Sequence, residues 1–361
     1  MFKAILLILV VFFDIEIYGV KLDNIVVLGS LFFTLPWMSF KLFKFYLPAI
    51  ISMGILFALF LYSYVIRNNE FDDIIVFMRP VMVLFLVRWL SRDFRLDMFL
   101  ALTSICFFIY SILFLIVSLL PEAGWVLAEL FESLDFEIRN GVPRLLWKLV
   151  ILIHIIQCYI LFKSNCSELV RVMLYCFSLG IVYISGSYGL FLGSIFIAFL
   201  AWRRSVQAWI FSGVILICLG LTIPVDKLIE RKAYSFKVKL EQVEALASVN
   251  MEDIILGKGM GSRFRSFDSR KSDDLFLEVS PIMLIINYGI LGGIGISFIY
   301  LLLPLVLAFN HKELRWLLAA QFAIVLSSFT NPYIWSGFVG LLVPLLIFRH
   351  AYIYYNTSLQ G

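Results

Sequence analysis

Apolar residues in this chain run in long blocks separated by short polar turns. Twelve blocks are long enough to read as membrane-crossing helices: 4–20, 25–40, 46–66, 74–90, 98–120, 148–163, 170–185, 188–202, 207–224, 280–308, 316–331 and 334–349. A spanning helix needs roughly 20 mostly apolar residues. The blocks 46–66 and 98–120 meet that length with the fewest interruptions, whereas Asp14 and Glu16 shorten the apolar core of 4–20. That first block lacks a small-residue cleavage site and reads as a retained span, not a leader. No internal repeat and no low-complexity linker divides the chain, so residues 1–361 read as a single all-α, polytopic membrane domain.

Composition strengthens this picture. Of 361 residues, 62% are hydrophobic and 15% charged, with a mean hydropathy of +0.98. Soluble domains run nearer 45–50% apolar and about 25% charged. The net charge of +4 says little by itself, because membrane proteins sort charge by side. No basic tail or separate domain points to nucleic acid. The five cysteines show no CxxC or Cys/His spacing, and none falls in the two longer hydrophilic segments.

The sorting of charge sets an orientation. With the N-terminus inside, the inner ends collect Lys3, Lys41, Lys44, Arg88, Arg92, Arg95, Lys163, Arg171, Arg203, Arg204, Lys312, Arg315 and Arg349. The short outer turns hold only Lys21 and Arg67. This bias places both termini in the cytoplasm. It also places two longer segments outside, 121–147 and 225–279. The second carries ten Lys/Arg and ten Asp/Glu, and long loops translocate largely regardless of charge.

Within that large outer loop, Phe236, Leu240, Val243 and Ala247 recur at helical spacing and predict an amphipathic helix at the outer membrane surface. Next comes Ile255-Leu256-Gly257-Lys258-Gly259-Met260-Gly261, then an arginine-dense stretch, then Glu278 opening the tenth span. Alternate glycines let a backbone turn tightly and present N–H groups to an anion. The same spacing also suits an ordinary turn.

The order of these features resembles the O-antigen polymerase and O-antigen ligase families of bacterial envelope polysaccharide assembly. Ser185-Gly186-Ser187-Tyr188-Gly189, between two apolar halves, is similar to the family's Ser-x-Ser-Arg-Gly break. Leu256-Gly257-Lys258-Gly259-Met260-Gly261 is similar to its LFGxGxG element. Glu278 to Gly292, closing Asn287-Tyr288-Gly289-Ile290-Leu291-Gly292, is similar to its xGxLG block. Arg139-Asn140-Gly141-Val142-Pro143, before the sixth span, is a further likeness. The resemblance covers about half the chain, from roughly 139 to 349. Two departures stand out. Tyr188 occupies a position where many relatives carry arginine. Glu278 stands where ligases place a histidine, and the three histidines (His154, His311 and His350) lie within a span or on the inner side. The polymerase is the closer likeness.

The resemblance implies a GT-C-like membrane glycosyltransferase acting on the outer face of the bacterial inner membrane, without a cofactor or metal. Its donor would be a glycan on a polyprenyl (undecaprenyl) diphosphate, and its acceptor a sugar hydroxyl of the next lipid-linked unit. Membrane lipids and a chain-length regulator are the other expected partners. A departing diphosphate needs cations where charge builds on its oxygens, and arginine's planar donors suit that task. A carboxylate at the membrane surface suits the acceptor hydroxyl as general base. Glu278 is the candidate base, with a stabilising acid at a helix N-terminus as the alternative. Arg139, Arg231, Lys258, Arg263 and Arg265 are candidate diphosphate or glycan contacts. So is Arg79 in Phe77-Met78-Arg79-Pro80, an intramembrane arginine, with snorkelling to the outer headgroups or pairing with Asp72 or Asp73 as the alternatives. His154 reads as a packed, hydrogen-bonded helix residue. Two rival functions remain open: the ligase, and a twelve-span transporter or flippase, for which discontinuous helices would be the sign.

Overall fold

The structure, a computed structural model, describes residues 3, 6, 16–17, 20–21, 51, 54–71, 73–74, 77, 90, 94–130, 134–139, 142–184, 187–202, 213, 237, 239–244, 246–247, 249–265, 273–274, 280–297, 302–328 and 342–358. Among the described residues the architecture is helical, with three small antiparallel hairpins. The predicted spans 25–40 and 207–224 and most of 74–90 lie outside the described residues, apart from helical Gly213 and the few residues named above.

Helix α1 (Gly54–Ile66) ends in a π-helical turn, Tyr62–Ile66. Helix α2 (Leu96–Leu119) matches the predicted fifth span and runs into α3 (Pro121–Leu130). A 3-10 turn, Lys148–Leu152, leads into α4 (Ile153–Phe162). Helices α5 (Glu168–Ile184) and α6 (Tyr188–Trp202) leave a break between them where the sequence predicts one. After α7 (Met251–Leu256) come α8 (Ser280–Ser297), α9 (Leu303–Asn310), α10 (Arg315–Ser328) and α11 (Leu342–Ser358).

Among the described residues, two helices are long and apolar enough to cross a membrane by length and composition, Leu96–Val117 and Ser280–Ser297. The first is not a soluble core helix. Only 28% of its apolar window is buried, and Ile105, Phe108, Leu115 and Leu119 stand out from the protein at helical spacing. Water would penalise so continuous an apolar face. Helix α4 is the opposite case: every residue from Val150 to Cys158 is buried. It packs between α5, α6 and α10, and α6 and α10 share the most extensive helix contact.

Four expectations need correction. Predicted span 4–20 does not stay helical to its end, because β1 (Glu16–Ile17) pairs with β2 (Val20–Lys21); the acids at 14 and 16 end the apolar run. Segment 121–147, expected as an outer loop, is not a plain loop. After α3 it forms a hairpin of β3 (Leu134–Arg139) and β4 (Val142–Trp147). Its first strand alternates Leu134, Phe136 and Ile138 with Asp135, Glu137 and Arg139, the two-residue period of a strand. The predicted run 280–308 exceeds one crossing, and α8 is broken inside it at Gly289 (φ 66°, ψ 176°). The last helix continues past Arg349 to Ser358, since Arg349 turns inward to donate to the carbonyls of Leu90 (2.8 Å) and Phe94 (2.9 Å). A charge expected to mark a helix end instead satisfies carbonyls of another segment.

The amphipathic stretch of the large loop is helical at 239–244. Leu240 and Val243 face away from the protein, whereas Gln242 is buried. The apolar stripe is therefore presented outward, as a helix lying in a membrane interface requires.

Candidate functional site

The glycine segment and the tenth-span block, separated in the sequence, interlock. Gly257, Gly259 and Gly261 have φ of +83°, +94° and +76°, a region costly for residues with a Cβ. Gly257 passes directly over the break in α8: a Cβ on it would lie 2.6 Å from the nitrogen of Gly289 and 2.9 Å from the oxygen of Asn287. A broken helix leaves carbonyls without partners, and here the amide of Lys258 donates to the carbonyl of Ile286 at 2.6 Å. The buried Asn287 side chain accepts from the amide of Gly261 (3.1 Å) and donates to the carbonyl of Met283 (3.0 Å).

The C-terminal end of α1 closes the other side. Its π-turn carries Ser63, whose hydroxyl accepts from the amide of Met260 (2.7 Å) while donating to Leu59 (2.6 Å). Asn68, in the left-handed region at φ 55°, turns the chain so that Asn69 donates to the carbonyl of Met260 (3.0 Å). Tyr288 donates to the carbonyl of Phe77 at 2.8 Å. Three distant segments thus meet in one clasp.

Two arginines form ion pairs along its rim. Arg67 donates to Asp253, and its Nε donates to the Tyr62 hydroxyl at 2.6 Å. Burial opposes the Arg67 charge, but the Tyr62 bond and the Asp253 carboxylate outweigh it and hold the pKa above its ordinary value. Arg263 donates from Nε to Asp73 (2.7 Å) and from Nη2 to Glu70 (3.1 Å).

This geometry corrects the anion-cradle expectation for the glycines. Of the five amides from Gly257 to Gly261, four (Gly257, Lys258, Met260 and Gly261) are bonded within the protein. They hold the fold together. Among the side chains here, Lys258 is exposed, and among the described residues no carboxylate pairs with it. Arg263 is about half exposed but already shared by two acids.

The other predicted site residues are scattered. Arg265 lies in β5 (Phe264–Arg265), where the register sets it across from Asp273 in β6 (Asp273–Asp274). Arg139 ends β3 and pairs with Val142, so Asn140-Gly141 is the dipeptide between the strands, a strong hairpin signal. That hairpin packs on α2 and α3. Arg79, Arg231 and Glu278 lie outside the described residues. Asp73, expected as a partner for Arg79, pairs with Arg263. Nothing in the sequence singles out Ser63, Asn69 and Asp253, nor the partners of Arg67 and Asn287, because their roles depend on contacts up to 197 positions apart.

A second polar group sits at the junction of α4, α6 and α10. His154 is fully buried and hydrogen-bonded at both ring nitrogens, as expected, to Gln157 (3.0 Å) and Ser327 (3.0 Å). The Ser327 hydroxyl also lies 2.9 Å from the Gly189 carbonyl, and Ser280 donates to the carbonyl of Ser328. Among the described residues no group of three His, Cys, Asp or Glu side chains is placed to hold a metal. No protein-family model matches the chain, and no curated protein matches it.

Proposed function

We propose that this chain is a twelve-span inner-membrane glycosyltransferase that polymerises lipid-linked polysaccharide repeat units on the outer face. It transfers the growing glycan from polyprenyl diphosphate to a sugar hydroxyl of the next unit. The observation that carries this reading is the clasp. The glycine element and the Asn287–Gly292 block, the two likest stretches to the O-antigen polymerase family, lock into one structure with charged residues along its rim.

The proposed topology draws support from which ends meet. Ser63, Arg67, Asn69 and Asp73 join residues 253–263, while Gly189 and Ser280 join Ser327 and Ser328. All of these fall on the side assigned outside. Arg349 with Leu90 and Phe94, and His350 with His311 and Glu313 (3.8 Å), fall on the side assigned inside. The outward apolar face of α2 supports contact with lipid.

In this reading Lys258 and Arg263 meet the diphosphate as side-chain cations, and Glu278 serves as base where the loop enters α8. Replacing Glu278 by Gln should reduce long chains at least 100-fold, scored on glycolipid gels at equal membrane protein; wild-type chain length would remove Glu278 as base. A flippase is the second reading, favoured by the break in α8, since transporters place substrate at discontinuous helices. Here, though, backbone fills the break. The deciding experiment is the glycolipid profile of a deletion strain and its complemented partner. Loss of a polymerase leaves single repeat units on the acceptor lipid, loss of a ligase leaves none, and loss of a flippase traps the units on the inner face.

A further inference from the structure

The outer end of α10 touches both of the other helices that matter to the proposed reaction. Ser327 bonds the first turn of α6, just after Ser187, and the carbonyl of Ser328 accepts from Ser280, two residues after Glu278. His154 holds Ser327 from the third side. We propose that His154, Ser327 and Ser328 form a positioning hub that sets the starts of α6 and α8 against each other, the two helix starts that adjoin the Ser185–Gly189 stretch and Glu278 in the sequence. The functional part of this inference rests on the polymerase reading; the mechanical part does not.

The local chemistry fits a built network. Every member is dry: His154, Gln157, Ser194 and Ser327 are fully buried. Room for the His154–Ser327 bond exists only because residue 193 is glycine. A Cβ there would lie 2.7 Å from both the Nε2 of His154 and the Oγ of Ser327. Gly189 is similarly close-fitting, with a Cβ meeting the Ser327 carbonyl at 2.8 Å.

Hydrogen counting gives the network a direction. The Ser327 hydroxyl has one proton, and its carbonyl neighbours at Ala323 (2.7 Å) and Gly189 (2.9 Å) can only accept. Ser327 therefore donates to a carbonyl and accepts from the Nε2–H of His154. A neutral imidazole then has a bare Nδ1, which needs a donor. With the Gln157 oxygen facing Nδ1, the Gln157 Nε2 is left buried without a partner. Carboxamide oxygen and nitrogen have the same shape, so bonding decides between them. Turning the amide lets its nitrogen donate to His154 and to Ser194, while Ser194 donates to Leu190. Every donor is then satisfied. The chain of bonds runs from Gln157 through His154 to Ser327 and the α6 backbone.

The test uses a cysteine-free chain carrying Ser187→Cys, a buried position beside the break, labelled from outside by a membrane-impermeant maleimide. Gly193→Ala removes no member of the hub and favours helix formation in itself, yet wedges His154 from Ser327. The expected result is at least five-fold faster labelling in Gly193→Ala and in His154→Ala, with His154→Gln near the parent rate. Unchanged labelling in both would overturn the hub. Should Gly193→Ala not accumulate in membranes, Ser327→Ala removes one hydroxyl, adds nothing, and is read the same way. With lipid-linked repeat units as substrate, His154→Ala should lower kcat about ten-fold with KM within two-fold, the pattern of misplaced reacting groups. Faster labelling in the variants, in a parent chain that does not polymerise, would overturn the polymerase reading and leave the hub standing. Increased labelling with unaltered kcat would overturn the link between hub and reaction.

Discussion

The clasp and the hub do the same mechanical task with opposite materials. Each ties distant segments together, three in the clasp and four helices in the hub, at the end of the bundle assigned to the outer face. The clasp is built from backbone: glycines in left-handed conformations, amides bonded across segments, and ion pairs at a rim where Arg263 and Glu70 are half or more exposed. The hub is built from neutral side chains with no exposure. Water explains the difference. At the rim, solvent screens charges, so an ion pair adds specificity at small energetic cost and small gain. Between helices, a charge would be expensive to bury, whereas a neutral hydrogen bond is well tolerated.

The contrast is broken most severely by putting a side chain where two backbones touch. Gly289→Ala should destabilise the detergent-solubilised protein by about 3 kcal/mol, combining left-handed strain with overlap, because a Cβ there would meet Leu256 and the Gly257 nitrogen. A thermal unfolding midpoint equal to wild type would show that the glycine contact does not hold the clasp. In the hub, Ser327→Ala should cost about 1–2 kcal/mol, and salt should not alter that loss; a strongly salt-dependent loss would mean that water reaches the network.

Smaller effects sharpen the same contrast. Asp253→Asn weakens the Arg67 pair and should cost about 1 kcal/mol at low salt, fading in 1 M salt as screening takes over. Persistence of the full loss at high salt would place the pair in a dry site. Least of all, Lys258→Ala should change stability by no more than about 0.5 kcal/mol, since its amide, not its exposed side chain, is part of the clasp. Under the polymerase reading the same variant shortens glycan chains; unchanged chain length would take Lys258 out of diphosphate contact.

Much of the helical layout was legible because long apolar runs leave few alternatives. Block 98–120 appears as Leu96–Leu119, and 188–202 as Tyr188–Trp202. The β3–β4 hairpin was legible too, in the alternation of 134–139 and in Asn140-Gly141, but the likeness around Arg139 drew attention to the charge and away from the turn. Arg263 shows the limit differently. Its charge and position suggested a diphosphate contact, and nothing local in the chain announces that Asp73 and Glu70 lie against it.

By itself, then, the amino-acid sequence determined the helical class, the long apolar runs and their breaks, and the bias of basic residues to one set of turns. These are local properties, written in hydropathy, period and composition. Only the tertiary structure decided what the alternate glycines do. Whether their amides face an anion or another strand depends on what lies opposite, and Ile286, Asn287 and Ser63 lie opposite. The fate of His154 was settled in the same way, by a glycine on one helix that leaves room for a serine on another.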